Sequence, residues 1–201
     1  MQSSTDLIVE PIGLEVESLP HPISWPDLFG NNNPVELEIG MGKGTFLTEA
    51  AKTHPQTNYF GLEYARWYWR YASDRLRRNH CTSVRTARAE AAYFIREFVA
   101  AGSLAVVHIY FPDPWPKKRH HKRRLIQPPF LLELHRVLKP GGRLQIVTDH
   151  EDYFRQMEEV IAASPLRRVE YEAGKVGTNF ERKYRQEGRE FYSVAAERMG
   201  P

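Results

Sequence analysis

The chain has 201 residues, 41% of them apolar, which is enough for one hydrophobic core with a short appendage but not for two full domains. Its single cysteine, Cys81, excludes an internal disulfide and points to a reducing compartment. The longest apolar run, Leu104 to Phe111, is far too short to span a bilayer, and Leu7-Ile8-Val9 is cut off by Glu10 and Pro11 before it can resemble a signal peptide. The formal charge of +3 has one source: six of the eight residues from Lys117 to Arg124 are Lys or Arg, and without them the 28 basic side chains fall to 22 against 25 acids. A soluble, cytoplasmic protein that meets a polyanion with one localised surface is the expectation.

Residues 1–34 carry prolines at 11, 20, 22, 26 and 34 and the run Asn31-Asn32-Asn33, and they read as an irregular N-terminal arm before a domain at 35–201. From Val35, β-rich runs alternate with helical patterns, as βαβ units around a parallel sheet require. Val35 to Gly40 is the first strand, Thr45 to Thr53 a helix, Asn58 to Glu63 the second strand, and Ala65 to Arg78 a long polar-aromatic helix. Val84 to Ala87 is a weak third strand. Ala91 to Ala101 places Phe94, Ile95, Phe98 and Val99 at helical spacing, and Leu104 to Phe111 is a continuous apolar strand typical of a sheet centre.

Pro128-Pro129 opens a helix whose Phe130, Leu131, Leu134, Val137 and Leu138 share one face, and Lys139-Pro140-Gly141-Gly142 stops it. Arg143 to Thr148 is the fifth strand, and Tyr153, Phe154, Met157, Val160 and Ile161 mark the next helix. Arg168 to Glu172 and Glu190 to Glu197 complete a mostly parallel seven-stranded sheet with helices on both faces, an α/β, Rossmann-like fold.

Glu38-Ile39-Gly40-Met41-Gly42-Lys43-Gly44 falls where the first strand turns into the first helix, so bare backbone at Gly40 can meet a ligand at a helix N-terminus. The dinucleotide fingerprint would require glycine at position 45, which is Thr45. Glu63 closes the second strand, where a carboxylate can accept both hydroxyls of a ribose, and Glu90 follows the third strand near where an adenine edge would lie. Glu38, near the end of a buried strand, needs a cation or a donor to offset its burial. S-adenosylmethionine offers an ammonium, a ribose diol and an adenine, whereas the pyrophosphate of NAD would be repelled by three acids. Methyl transfer is therefore expected over hydride transfer.

Phe111-Pro112-Asp113-Pro114-Trp115-Pro116 sets one carboxylate, Asp113, in a proline-restricted turn directly before the cationic run. Lys117 heads that run, placed to hold a phosphate or a base edge, with Lys118 through Arg124 read as a phosphate grip. Trp115 either stacks on a base or packs the loop. His120 and His121 are adjacent imidazoles without a spaced acid or cysteine set, so no metal is expected.

Together, Glu-Ile-Gly-Met-Gly-Lys-Gly, the acid Glu63 and Leu138-Lys139-Pro140-Gly141-Gly142 resemble the class I S-adenosylmethionine-dependent methyltransferases. Phe-Pro-Asp-Pro-Trp-Pro-Lys-Lys-Arg-His-His-Lys-Arg-Arg, the Thr148-Asp149 step and Thr178-Asn179-Phe180-Glu181 narrow the resemblance to bacterial tRNA (guanine-N7-)-methyltransferases, over about residues 35–198. That resemblance implies a class I methyltransferase fold and S-adenosylmethionine contacts from Glu38, Gly40, Glu63, Glu90 and Asp113. It implies Asp113 as the catalytic residue, and substrate contacts from Lys117, Asp149, Thr178, Asn179, Phe180 and Glu181. Glu90 stands where the family more often carries Asp.

The implied partner is tRNA, methylated at a guanine N7 of its variable loop by a monomer or homodimer, with no membrane and no metal involved. Two other readings use the same residues. Asp113-Pro114-Trp115 also resembles the loop of enzymes that methylate exocyclic amines, and an RNA-binding module without catalysis would keep the cationic run. Locally, Asp149 has the position of a helix N-cap, and Thr178 and Glu181 the spacing of a capping box.

Overall fold

Tyr59 and Phe60 are both fully buried, although adjacent strand residues point to opposite faces of a sheet, so their strand must be covered on both sides. The computed structural model describes residues 7–171, 188 and 190–200. It divides into two units, Met1–Ala100 and Ala101–Pro201. The first unit contains β1 (Gly13–Leu14), α1 (Trp25–Phe29), β2 (Val35–Ile39), α2 (Thr45–Thr53), β3 (Asn58–Glu63), α3 (Arg66–Arg78), β4 (Val84–Arg88) and α4 (Ala91–Phe98). Its strands run in the order β1-β4-β3-β2, all parallel.

On one face Tyr59 joins Leu47, Ala50 and Ala51 of α2 with Trp69, Ala72 and Leu76 of α3. On the other, the Phe60 ring lies 5.4 Å from Trp25 of α1 and is stacked 5.2 Å from Phe94 of α4. Helices therefore cover both faces, as the sequence pattern predicts. α4 ends at Phe98, short of the expected Ala101.

The arm before Val35 departs from its irregular reading. Gly13 and Leu14 pair with Thr86 and Ala87 of β4, and α1 opens with Pro26 in its first turn and closes on left-handed Gly30. Buried Leu7, Ile12, Leu19, Ile23 and Trp25 hold this segment down. Prolines break the spacing between these apolar residues, so no helical or strand period marks them in the sequence. Counting β1, the described residues hold eight strands where seven were expected.

The second unit contains β5 (Leu104–Tyr110), a 3-10 turn (Lys118–Arg123), α5 (Pro128–Val137), β6 (Leu138–Thr148), α6 (Glu151–Ala162), β7 (Arg167–Val169) and β8 (Tyr192–Glu197). The order is β5-β6-β8-β7, with β5 and β6 parallel and the other two pairings antiparallel. β6 starts earlier than the expected Arg143: Leu138 already pairs with Leu104, and pairing resumes at Arg143 opposite Val106. Between them Gly141 is left-handed and its N–H donates to the Arg198 carbonyl at 2.8 Å, and a Cβ on Gly142 would lie 2.8 Å from the Lys139 carbonyl. Residue 172, the end of the expected sixth strand, lies outside the described residues. Among those described, no helix is long and apolar enough to cross a membrane.

Phe60→Ala should remove about 3–5 kcal/mol of stability, since it empties the space between Trp25 and Phe94. Urea denaturation followed by circular dichroism measures it.

Candidate functional site

β2, β3 and β4 lie in register, with Ile39 beside Leu62 and Leu62 beside Ala87, so the segments that follow them leave one edge of the first unit. Glu38, Gly40, Glu63 and Glu90 all gather there. Gly40, Gly42 and Gly44 have φ of 76°, 52° and 68°, a left-handed geometry that glycine adopts without strain. A Cβ on Gly40 or Gly42 would meet nothing within 4 Å, whereas one on Gly44 would lie 3.0 Å from Ala72. The first two glycines thus line open space, and the third lets α2 approach α3.

Glu38 is 3% exposed, and its Oε2 has no hydrogen-bond partner. Burial, reinforced by the nearby Glu63 carboxylate, pushes its pKa up to about 8. A buried acid left in this condition costs free energy that a cationic ligand group would recover. Glu63 is already employed: Oε2 accepts from the Gly42 N–H and Oε1 from the Ala65 N–H, both at 2.9 Å. It braces the glycine loop against the end of β3, and its remaining lone pairs are what a ribose diol could use.

Glu90 is the N-cap of α4, with Oε1 accepting from Ala92 N–H at 3.0 Å and Oε2 from Tyr93 N–H at 2.7 Å. Its position before an apolar helical pattern was the available signal for that cap.

In the second unit, Asp113 is exposed on the loop after β5. Phe111 and Trp115, one on each side of it, have φ of 53° and 43°, a conformation that costs non-glycine residues about 1–3 kcal/mol each. The strain is held locally. Phe111 N–H donates to the Val147 carbonyl at 2.7 Å and its ring meets Phe191 edge-on at 5.5 Å. Trp115 lies edge-on to His120, with the Arg123 guanidinium 5.0 Å from its ring centroid. In this structure, then, Trp115 packs the loop.

The cationic run is not uniform. Lys117, Lys118, Arg119, Lys122 and Arg123 are exposed, but the Arg124 side chain is 1% exposed. This corrects its reading as a phosphate grip. Its Nε donates to the Pro114 carbonyl at 2.8 Å, Nη1 to Gln156 at 2.7 Å and Nη2 to Asp152, and its guanidinium lies 4.8 Å from the Tyr153 ring centroid. Arg124 pins the loop that bears Asp113 to α6. The sequence signal was faint: Arg124 directly precedes the apolar pair Leu125-Ile126, and Ile126 is fully buried. The hydrogen bond from Arg124 also holds the Asp152 carboxyl below its ordinary range.

Asp149 follows β6, whose Val147 pairs with Tyr110 of β5, so the Asp113 loop and Asp149 leave neighbouring parallel strands at the same end. The cap that the sequence offered to Asp149 is made by His150, whose Nδ1 accepts from Tyr153 N–H at 3.3 Å. Thr178, Asn179, Phe180 and Glu181 lie outside the described residues. Among those described, no cluster of three or more His, Cys, Asp or Glu side chains could hold a metal ion.

Glu38 is neutral in the folded protein between about pH 4.5 and 8 but ionised in the unfolded chain. Its favourable contribution is therefore fully present below 4.5 and is lost as pH rises toward 8. The melting temperature of the ligand-free protein should fall over that window, and Glu38→Gln should flatten the fall, as scanning calorimetry would show. Arg124→Ala should lower the denaturation midpoint and return the Asp152 carboxyl toward its ordinary pKa, read by carboxyl-carbon NMR titration.

A family model described as "Putative methyltransferase" matches residues 32–194. A tRNA (guanine-N(7)-)-methyltransferase of Bordetella pertussis is 43% identical over 149 residues, covering 74% of this chain and 59% of the relative. One of Alkalilimnicola ehrlichii is 40% identical over 164 residues, covering 82% and 69%. The chain thus spans about three fifths of the length of the Bordetella relative. Among solved structures, a SAM dependent methyltransferase from Aquifex aeolicus superposes with a TM-score of 0.59 at 16% identity, over 85% of this chain and 86% of that one. The architecture is the Rossmann-like class I methyltransferase fold, and the chain belongs to the tRNA (guanine-N(7)-)-methyltransferase family.

Proposed function

We propose that this protein transfers a methyl group from S-adenosylmethionine to N7 of a guanine in the variable loop of tRNA, with residues 35–201 as the catalytic domain. The observation that carries this reading is the buried, unpartnered Oε2 of Glu38 beside open-faced glycines, in a chain whose relatives are named tRNA (guanine-N(7)-)-methyltransferases. The donor set fits the cofactor: Glu38 would take the ammonium, Glu63 the ribose hydroxyls, the backbone at Gly40 the methionine end, and Glu90 the adenine side. When bound, the cofactor supplies an electrophilic methyl group.

Guanine N7 has an in-plane lone pair and no proton to lose, so no strong general base is required and positioning dominates. The ring gains positive charge as it is methylated. Asp113, held between two strained residues and pinned through Pro114 by Arg124, is the carboxylate assigned to stabilise that charge and fix the guanine edge, and to contact the cofactor. Lys117, Asp149 and the segment Thr178 to Glu181 are assigned to the tRNA, with the exposed cations after Lys117 on its phosphates. The protein acts in the cytoplasm as a monomer or homodimer.

Incubation with unmodified tRNA followed by mass-spectrometric mapping should place the new methyl on guanine N7. A methyl on an exocyclic amine would move the target, and no methyl together with no cofactor binding would leave only an RNA-binding module. In the same assay Asp113→Ala should lower turnover about a hundredfold or more. Activity near that of the unaltered protein would remove Asp113 from this role.

A further inference from the structure

α3 buries Trp69, Ala72 and Leu76, yet its other side carries three more large aromatic side chains, two of them exposed to solvent. Trp67 is 46% exposed and Tyr68 41% exposed, and Tyr71 is half-buried. They form an organised cluster: Trp67 stacks on Tyr71 with centroids 5.2 Å apart and planes at 19°, and meets Tyr68 edge-on at 5.0 Å. Exposed aromatic groups of this size normally serve recognition, since burial would otherwise be favoured.

The charge around them selects the partner. α3 carries five arginines and one acid. That acid, Asp74, is buried and engaged by Arg77 at 2.8 Å and Arg78 at 2.9 Å, so no carboxylate of the helix faces outward. Arg66 is exposed at the start of the cluster, with no ion-pair partner among the described residues. Aromatic planes interleaved with arginine and free of acids suit unpaired nucleotides: bases stack on the rings while the cation meets phosphate. The helix begins three residues after Glu63, so the cluster adjoins the glycine-loop edge of the first unit.

We propose that the Trp67-Tyr68-Tyr71 face of α3 is a stacking platform for unpaired bases of the RNA substrate. This rests on the tRNA-modifying reading above and assigns the RNA a contact in the first unit, separate from the cationic run of the second.

The test compares a Trp67→Ala/Tyr71→Ala variant with the unaltered protein. Fluorescence anisotropy would report affinity for tRNA and for an unpaired oligouridylate, calorimetry S-adenosylmethionine affinity, and gel filtration the oligomeric state. Affinity for both RNAs should fall about tenfold, the loss of roughly one stacked base, with cofactor affinity and elution volume unchanged. Trp67→Phe/Tyr71→Phe, which keeps the planes, should restore RNA affinity. If the alanine pair lowers the melting temperature, Tyr68→Glu at an exposed position should weaken binding instead.

Unchanged RNA affinity in the folded variants would overturn the platform, as would a changed elution volume of the free protein, which would assign the face to a second copy. Methyl transfer by the unaltered protein with undiminished RNA binding by the variants sinks only the platform. RNA binding lost in the variants, with no methyl transfer by the unaltered protein, sinks only the activity.

Discussion

The in-register parallel pairing of β2, β3 and β4 is the constraint on which the candidate cofactor site depends. Because Glu38 pairs beside Gly61 and Glu63 beside Arg88, three strands end at one level, and everything that follows them emerges on the same edge. A slip of one residue would reverse the face of every side chain on a strand. Tyr59 and Phe60 forbid that slip, since each fills a different hydrophobic layer. The energy that fixes the acid-lined edge thus lies in an aromatic core beneath it.

In the second unit the comparable role falls to one cation. Arg124 ends a run of charges that face water, yet it is spent on the Pro114 carbonyl, Gln156, Asp152 and the face of Tyr153. Its partner Asp152 remains largely solvated, so the ion pair itself is screened; the part-buried hydrogen bonds to Pro114 and Gln156 do more to hold the loop. The two left-handed residues beside Asp113 can persist only because the loop is anchored at both ends. Rigidity there suits the methyl transfer proposed above, in which placement matters more than proton transfer.

Much of this was legible in the sequence, for identifiable reasons. The βαβ alternation survives in the strand and helix bounds because each run is long enough to show its own period, and the buried acid at Glu38 followed from an apolar strand that contains a charge. What was hidden depends on neighbours distant in the chain. Beyond the apolar Leu125-Ile126 that follows it, nothing local distinguishes Arg124 from Arg123, and the packing of α6 beneath it decides which of the two is buried. Left-handed Phe111 and Trp115 break a backbone preference that sequence reasoning must assume. The proline-rich arm hid its short strand because two residues show no alternation, and capping passed to His150 rather than Asp149 by a single position.

Glu63 spends one oxygen on the Gly42 N–H and the other on the Ala65 N–H, so it joins the glycine loop to the start of α3. A carboxylate that bridges two segments transmits any pull on it to both. A ligand hydroxyl that draws on its lone pairs would weaken or reorient both backbone bonds together. Occupancy at the glycine loop would therefore reach the first turn of the helix carrying Trp67 through a single side chain.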